Sequence, residues 1–203
     1  MTRKTLNFPK NIVVLISGHG SNLLALEKAA RVNRWSERYQ ASIVAVISNR
    51  PEAPGLAAAR ALGLTTEVLD HCGFAGRAEF DRALAEMVNR YSPTLVLLAG
   101  FMRVLSQEFT DQFKGRLLNV HPSLLPAFPG LNTHQRALDA GCQFAGSTVH
   151  WVTGELDRGR IVAQAVVPVI PGDSAAQLAA RVKSQEHVIY AESVQRLLAA
   201  FDD

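Results

Sequence analysis

The chain alternates between short, unbroken apolar runs and longer segments whose apolar residues recur every three or four positions. Residues 11–16 (Asn-Ile-Val-Val-Leu-Ile), 42–47 (Ser-Ile-Val-Ala-Val-Ile) and 94–99 (Thr-Leu-Val-Leu-Leu-Ala) are such runs. Their β-branched and leucine content predicts strands buried on both faces. Residues 65–69 and 116–120 predict two more strands. Between the strands, residues 23–30, 55–62 and 77–91 predict helices; in the last of these Phe80, Leu84, Met87 and Val88 fall on one side. Gly63 stops the second helix, and Ser106 can cap a short helix running to residue 113. Buried strands alternating with helices predict an α/β fold: a doubly wound, mostly parallel, Rossmann-like sheet with helices on both faces.

After residue 120 the pattern changes. Residues 133–140 predict a helix closed by Gly141, and residues 146–152 and 161–169 predict two strands. Thr153-Gly154-Glu155-Leu156-Asp157-Arg158-Gly159 joins them at hairpin spacing, which predicts an antiparallel C-terminal extension. Asp173 and Ser174 cap a last helix over 175–198. No linker interrupts the chain, so a single domain over 1–203 is expected, with halves of about 11–115 and 116–203. A hydrophobic content of 48% over 203 residues suffices for one substantial core. The formal charge of +3 is spread without a Lys/Arg block, which suits anionic small molecules better than nucleic acid. Two isolated cysteines, Cys72 and Cys142, suggest a reducing compartment without a disulfide framework. No apolar run approaches the roughly 18 residues a membrane helix needs, so a cytoplasmic protein without membrane contact is expected.

The polar residues that break this pattern are the candidates for chemistry. Leu117-Leu118-Asn119-Val120-His121-Pro122-Ser123-Leu124-Leu125-Pro126 begins as a strand, turns polar, and is stopped by prolines. In an open α/β sheet, ligands bind where strands end. Period-two alternation puts Asn119 and His121 on one face, roughly 7 Å apart, where amide and imidazole can polarise one carbonyl. Ser17-Gly18-His19-Gly20-Ser21-Asn22 lies between a strand and a helix. Its glycines let the backbone approach an anion at a positive helix end, and the missing second glycine pair favours a monophosphate over a dinucleotide. Leu125-Pro126 is expected to be cis, because X–Pro is where cis is cheap and the chain must turn sharply there. Asp157 reads as a turn residue or a site residue, Arg103 as a surface or a site cation, and His150 as a packed core histidine. No metal-ligand spacing is present, so no metal is expected.

Taken in order, Ile16-Ser17-Gly18-His19-Gly20-Ser21-Asn22, Ala99-Gly100-Phe101-Met102-Arg103, Leu118 to Pro126, Pro129-Gly130-Leu131 and Glu155-Leu156-Asp157 closely resemble the phosphoribosylglycinamide formyltransferases, folate-dependent enzymes of purine biosynthesis. The resemblance covers about residues 11–198. It implies transfer of the formyl group of 10-formyltetrahydrofolate, a cosubstrate, to the amino group of 5-phosphoribosylglycinamide. It implies Asn119, His121 and Asp157 as the catalytic trio, and Gly20, Ser21 and Asn22 as the phosphate loop. Glu186 matches a glutamate that meets the substrate ribose. Met102, Arg103, Val104 and Leu105 match the segment that holds the pterin, with Arg77 and Asn119 at further folate positions. Its partners are small-molecule substrates, and monomer and homodimer both fit.

Two positions depart from the family pattern. His19 stands where Asn is frequent, and Arg160 replaces a frequent proline, which questions how the chain enters the following strand. The same trio also serves formyltetrahydrofolate hydrolases and methionyl-tRNA formyltransferases, whose relatives carry further domains. A non-catalytic nucleotide-binding module is the alternative of another class. In the mechanism the resemblance implies, Asn119 and protonated His121 stabilise the formyl oxyanion, and Asp157 favours the charged imidazole and relays a proton through water.

Overall fold

The apolar runs pair as strands in the computed structural model, which describes residues 9–201; residues 1–8 and 202–203 of the expected single domain lie outside it. The strands are β1 (Lys10–Ile16), β2 (Ala41–Ser48), β3 (Thr66–Val68), β4 (Leu95–Leu98), β5 (Leu117–His121), β6 (Phe144–Trp151) and β7 (Ile161–Pro168). The helices are α1 (Ser21–Val32), α2 (Trp35–Tyr39), α3 (Pro54–Ala61), α4 (Arg77–Asn89), α5 (Gln107–Gln112), α6 (Thr133–Asp139) and α7 (Ala175–Ala200). All the strands share one sheet in the order β3-β2-β1-β4-β5-β6-β7. The first five pair in parallel, and β6 and β7 are antiparallel additions. The antiparallel extension is therefore continuous with the parallel sheet.

Side-chain alternation builds a core on each face. Ile12, Val14 and Ile16 pack with residues of α1, α3 and α7. Val13 and Leu15 pack on the other face with α4 and α5. The long helix α7 is anchored by Tyr190, whose fully buried hydroxyl lies 3.2 Å from the Leu98 carbonyl and 3.1 Å from that of Leu118. Helix α2 leaves no signal in the sequence, because five residues are too few to show a period. It is held from outside itself: Trp35 is fully buried and its indole N–H donates to Gln195 of α7.

Strand order reverses between β1 and β4, the switch point at which open α/β sheets bind ligands. The Ser17 hydroxyl joins the two loops there: it donates to Asn49 Oδ1 at 2.5 Å and accepts the Met102 N–H at 2.8 Å. The end of the same segment is held by Asp81, which accepts the Ser106 N–H at 2.6 Å. Residues 102–105 are thus fastened at one end to the carboxyl edge of the sheet, through Ser17, and at the other to helix α4, through Asp81.

Candidate active site

The antiparallel register decides what faces the end of β5. Asn119 lies opposite His150, and His121 opposite Thr148. Directly opposed side chains share a face, so all four point to the α4–α5 side. The pairing of β6 with β7 shifts register beside His150. Such a bulge bends a strand and re-aims its side chains, often next to an active site.

Asp157 comes to this cluster from the β6–β7 loop. It holds a left-handed backbone with φ 54°, a conformation aspartate tolerates better than most residues. Its Oδ2 lies 3.4 Å from His121 Nδ1 and accepts the Gly130 N–H at 2.9 Å. Its Oδ1 lies 3.7 Å from His150 Nε2. Gly159 lets the loop come this close, since a side chain there would collide with the Trp151 carbonyl. Arg160 does not disturb the strand that follows: its carbonyl accepts the Trp151 N–H at 3.0 Å, a bond a proline could equally accept.

Both ring nitrogens of His121 face oxygens, because Nε2 lies 3.0 Å from the Phe128 carbonyl. The doubly protonated ring can donate to both, whereas a neutral ring can satisfy one. His150 is different. Its Nδ1 donates to the Trp151 carbonyl at 3.0 Å, which leaves Nε2 to accept from Asn119 Nδ2 at 3.4 Å. Burial pushes the His150 pKa below the ordinary 6.5, outweighing the Trp151 carbonyl and Asp157. A neutral His150 therefore orients the Asn119 amide and leaves its second N–H free. His150, expected as a packed core histidine, is buried and also part of the cluster. The signal was the strand pairing, which is absent from the sequence.

A second group of expected residues gathers around the start of α1. Gly20 is the N-cap, with φ 72°. The first turn of a helix leaves its N–H groups without helical partners, and here that turn begins Ser21-Asn22-Leu23. Gly55, at the start of α3, donates its N–H to the Gly18 carbonyl at 3.0 Å, and a Cβ there would sit 2.8 Å from that oxygen. Asn22 and Glu186 meet directly: Asn22 Nδ2 donates to Glu186 Oε2 at 3.3 Å, both residues being buried. Burial raises the Glu186 pKa above the ordinary 4.5, against the Asn22 hydrogen bond and Lys183.

The third group is divided. Met102 and Val104 expose their side chains, while Leu105 is buried in the core. Arg103 lies over the Phe80 ring, with Cζ 4.7 Å from its centroid. Arg77 is exposed at the first position of α4. The Leu125-Pro126 bond is cis, as expected.

An open α/β sheet with an amide, an imidazole and a carboxylate at its carboxyl edge defines a class, that of enzymes acting at a carbonyl of a small molecule. Residues 10–194 match the formyl transferase family. The chain is 49% identical over 180 residues to phosphoribosylglycinamide formyltransferase of Escherichia coli (strain K12), covering 89% of this chain and 83% of that one. It is 45% identical over 184 residues to part of the trifunctional purine biosynthetic protein adenosine-3 of Bos taurus, covering 91% of this chain and 18% of that one. The crystal structure of phosphoribosylglycinamide formyltransferase from Brucella melitensis is similar at a TM-score of 0.87 and 47% identity, covering 95% of this chain and 97% of that one. For glycinamide ribonucleotide transformylase 1 from Symbiobacterium toebii the TM-score is 0.89 at 42% identity, over 94% of this chain and 88% of that one. The chain belongs to the formyl transferase family, among its phosphoribosylglycinamide formyltransferases, and is a group transferase.

Proposed function

We propose that this enzyme transfers the formyl group of 10-formyltetrahydrofolate to the amino group of 5-phosphoribosylglycinamide, in purine biosynthesis. The observation that carries this reading is the pairing of His121 with Asp157 beside Asn119, at the end of a parallel strand. The substrate phosphate sits on the N–H groups of Gly20, Ser21 and Asn22, with Glu186 on the ribose hydroxyls. The pterin lies along Met102, Arg103, Val104 and Leu105. Of these, the exposed Met102 and Val104 side chains offer an apolar wall, and the buried Leu105 takes part through its backbone. Arg77 attracts the anionic tail of the folate.

The substrate amine attacks the formyl carbon, and the new C–N bond places negative charge on the formyl oxygen. Asn119 donates its free N–H to that oxygen, and His121 donates from Nε2, an oxyanion-hole arrangement. To do so His121 exchanges the Phe128 carbonyl for the formyl oxygen. Asp157 holds the other ring nitrogen and stabilises the cation. As the bond to N10 breaks, the proton lost by the amine passes to N10 through water held by Asp157. The amine is nucleophile enough that no covalent enzyme intermediate is required.

The test is to incubate the enzyme with 10-formyltetrahydrofolate, with and without 5-phosphoribosylglycinamide, and follow tetrahydrofolate and formylated product. Both should appear only when the amine is present, in equal amounts. Tetrahydrofolate release without the amine makes the protein a hydrolase, and no reaction in either arm removes the assignment.

A further inference from the structure

Away from the histidine–aspartate cluster, the turn His71–Gly73 after β3 and its capping residue Asp70 gather three metal-ligating side chains. Asp70, His71 and Cys72 offer ligand atoms that all lie within 4.8 Å of one another. Cys72 Sγ stands 3.8 Å from His71 Nε2. Ligands at ordinary zinc distances, about 2.3 Å for sulfur and about 2.0 Å for imidazole, stand about 3.5 Å apart in a tetrahedral set. Closing that gap needs a shift of a few tenths of an ångström, and Cys72 is exposed and free to make it.

An element outside the turn holds the imidazole in its ligating form. His71 Nδ1 lies 2.8 Å from the backbone carbonyl of Asn49, at the end of β2. The Asn49 amide nitrogen lies farther from Nδ1, at 3.3 Å, and a carbonyl at the shorter distance only accepts, so Nδ1 donates to it and Nε2 turns its lone pair toward Cys72. Metal-bound histidines are oriented in the same way, by a hydrogen bond from the other ring nitrogen. Phe80 backs the ring edge-on, with centroids 6.4 Å apart. Asp70 spends one carboxylate oxygen capping the Cys72 N–H at 2.9 Å, which leaves the other for an ion.

We propose that Asp70, His71 and Cys72 form a binding site for a thiophilic divalent cation of the zinc class, with water completing a tetrahedral set. On binding, the Cys72 S–H bond breaks, its proton goes to solvent, and sulfur bonds to the metal. Thiolate with imidazole selects this class over magnesium or calcium. The site stands apart from the formyl-transfer chemistry, but Asn49 links the two, since its side chain also accepts the Ser17 hydroxyl that fastens Met102.

Cobalt(II) titrated into untagged, reduced, full-length protein at tens of micromolar tests this, because cobalt–thiolate ligation absorbs in the near ultraviolet. The charge-transfer band should saturate at one equivalent and be erased by added zinc. Cys72→Ser should abolish the band, Cys142→Ser should leave it intact, and His71→Ala should weaken binding roughly ten-fold or more. Circular dichroism checks the fold of each variant. No band, a band that survives Cys72→Ser, a band lost in Cys142→Ser, or saturation only at millimolar metal overturns the proposal.

Discussion

Asp157 is shared by two histidines, and the two are not equivalent. His121 has an oxygen at each ring nitrogen, whereas His150 donates once and accepts once. If Asp157 acts through His121, its loss costs little once His121 is gone. The double variant His121→Ala/Asp157→Asn should then turn over about as slowly as the worse single variant, because groups that act as a unit are non-additive. Oxyanion donors elsewhere are worth roughly 3–4 kcal/mol each, so His121→Ala alone should be severe. Fully multiplicative losses in kcat would break the coupling. His150 acts by positioning Asn119, and misplacing a catalytic group can cost roughly 100-fold. His150→Phe should lower kcat by about 10- to 100-fold with little change in either KM. It should also alter the response to acid. An unfolded chain takes up a proton at the ordinary 6.5, whereas folded His150 does so only at lower pH. Between those values the unfolded state binds more protons, so stability falls as pH drops below 6.5. Thermal melts of His150→Phe should show less of that acid loss than wild type.

Helix α7 carries both the Tyr190 bond to the sheet and Glu186, the residue proposed for the substrate ribose. Tyr190 fixes the helix to Leu98 at the end of β4 and to Leu118 of β5, one residue before Asn119. Tyr190→Phe leaves those carbonyls without the hydroxyl and should cost about 1–2 kcal/mol in a denaturant titration. A midpoint equal to that of wild type would show the bond to be dispensable. Four residues earlier on the same helix, Glu186 is buried with its pKa raised by that burial. The folded chain holds this proton above the ordinary 4.5, where the unfolded chain has lost it. The stability tied to this site is complete below 4.5 and is lost as pH rises through the folded value. Glu186→Gln should therefore melt higher than wild type near neutral pH, with the gain vanishing in acid. Its KM for 5-phosphoribosylglycinamide should rise roughly ten-fold, the scale of one hydrogen bond to a charged group. A variant unchanged in both respects would take Glu186 out of the substrate site.

At the scale of the whole molecule, the sheet separates the two groups of proposed site residues. The glycine turn before α1, α3 and Glu186 belong to the face of α1 and α7, while Asn119, His121 and His150 point to the face of α4 and α5. The two meet only along the carboxyl edge, so damage to one should be felt selectively. Gly55→Ala tests this, because its Cβ would press on the Gly18 carbonyl at 2.8 Å and on Ile16. Such overpacking costs about 1–3 kcal/mol and should displace the turn. The KM for the phosphate substrate should rise several-fold while that for the folate stays put. Equal rises would mean that the turn serves both ligands.

The sequence alone determined the strands, most helices and the parallel half of the sheet, because buried runs and helical periods are local signals. It also marked Asn119, His121 and the glycine turn, since a polar break at a strand end is visible in one dimension. For Asp157 the residues left turn and site open and only the resemblance gave it a role, because a loop aspartate has no pattern of its own. What the tertiary structure decided is the partners. His150 joined the site through antiparallel register, a relation between strands 31 residues apart at Asn119. Asn22 met Glu186 across 164 residues, and Tyr190 reached Leu98 across 92. Hydrogen bonds of this kind form only after chain segments distant in sequence have packed. Their members therefore look like ordinary strand or helix residues until the sheet brings them together.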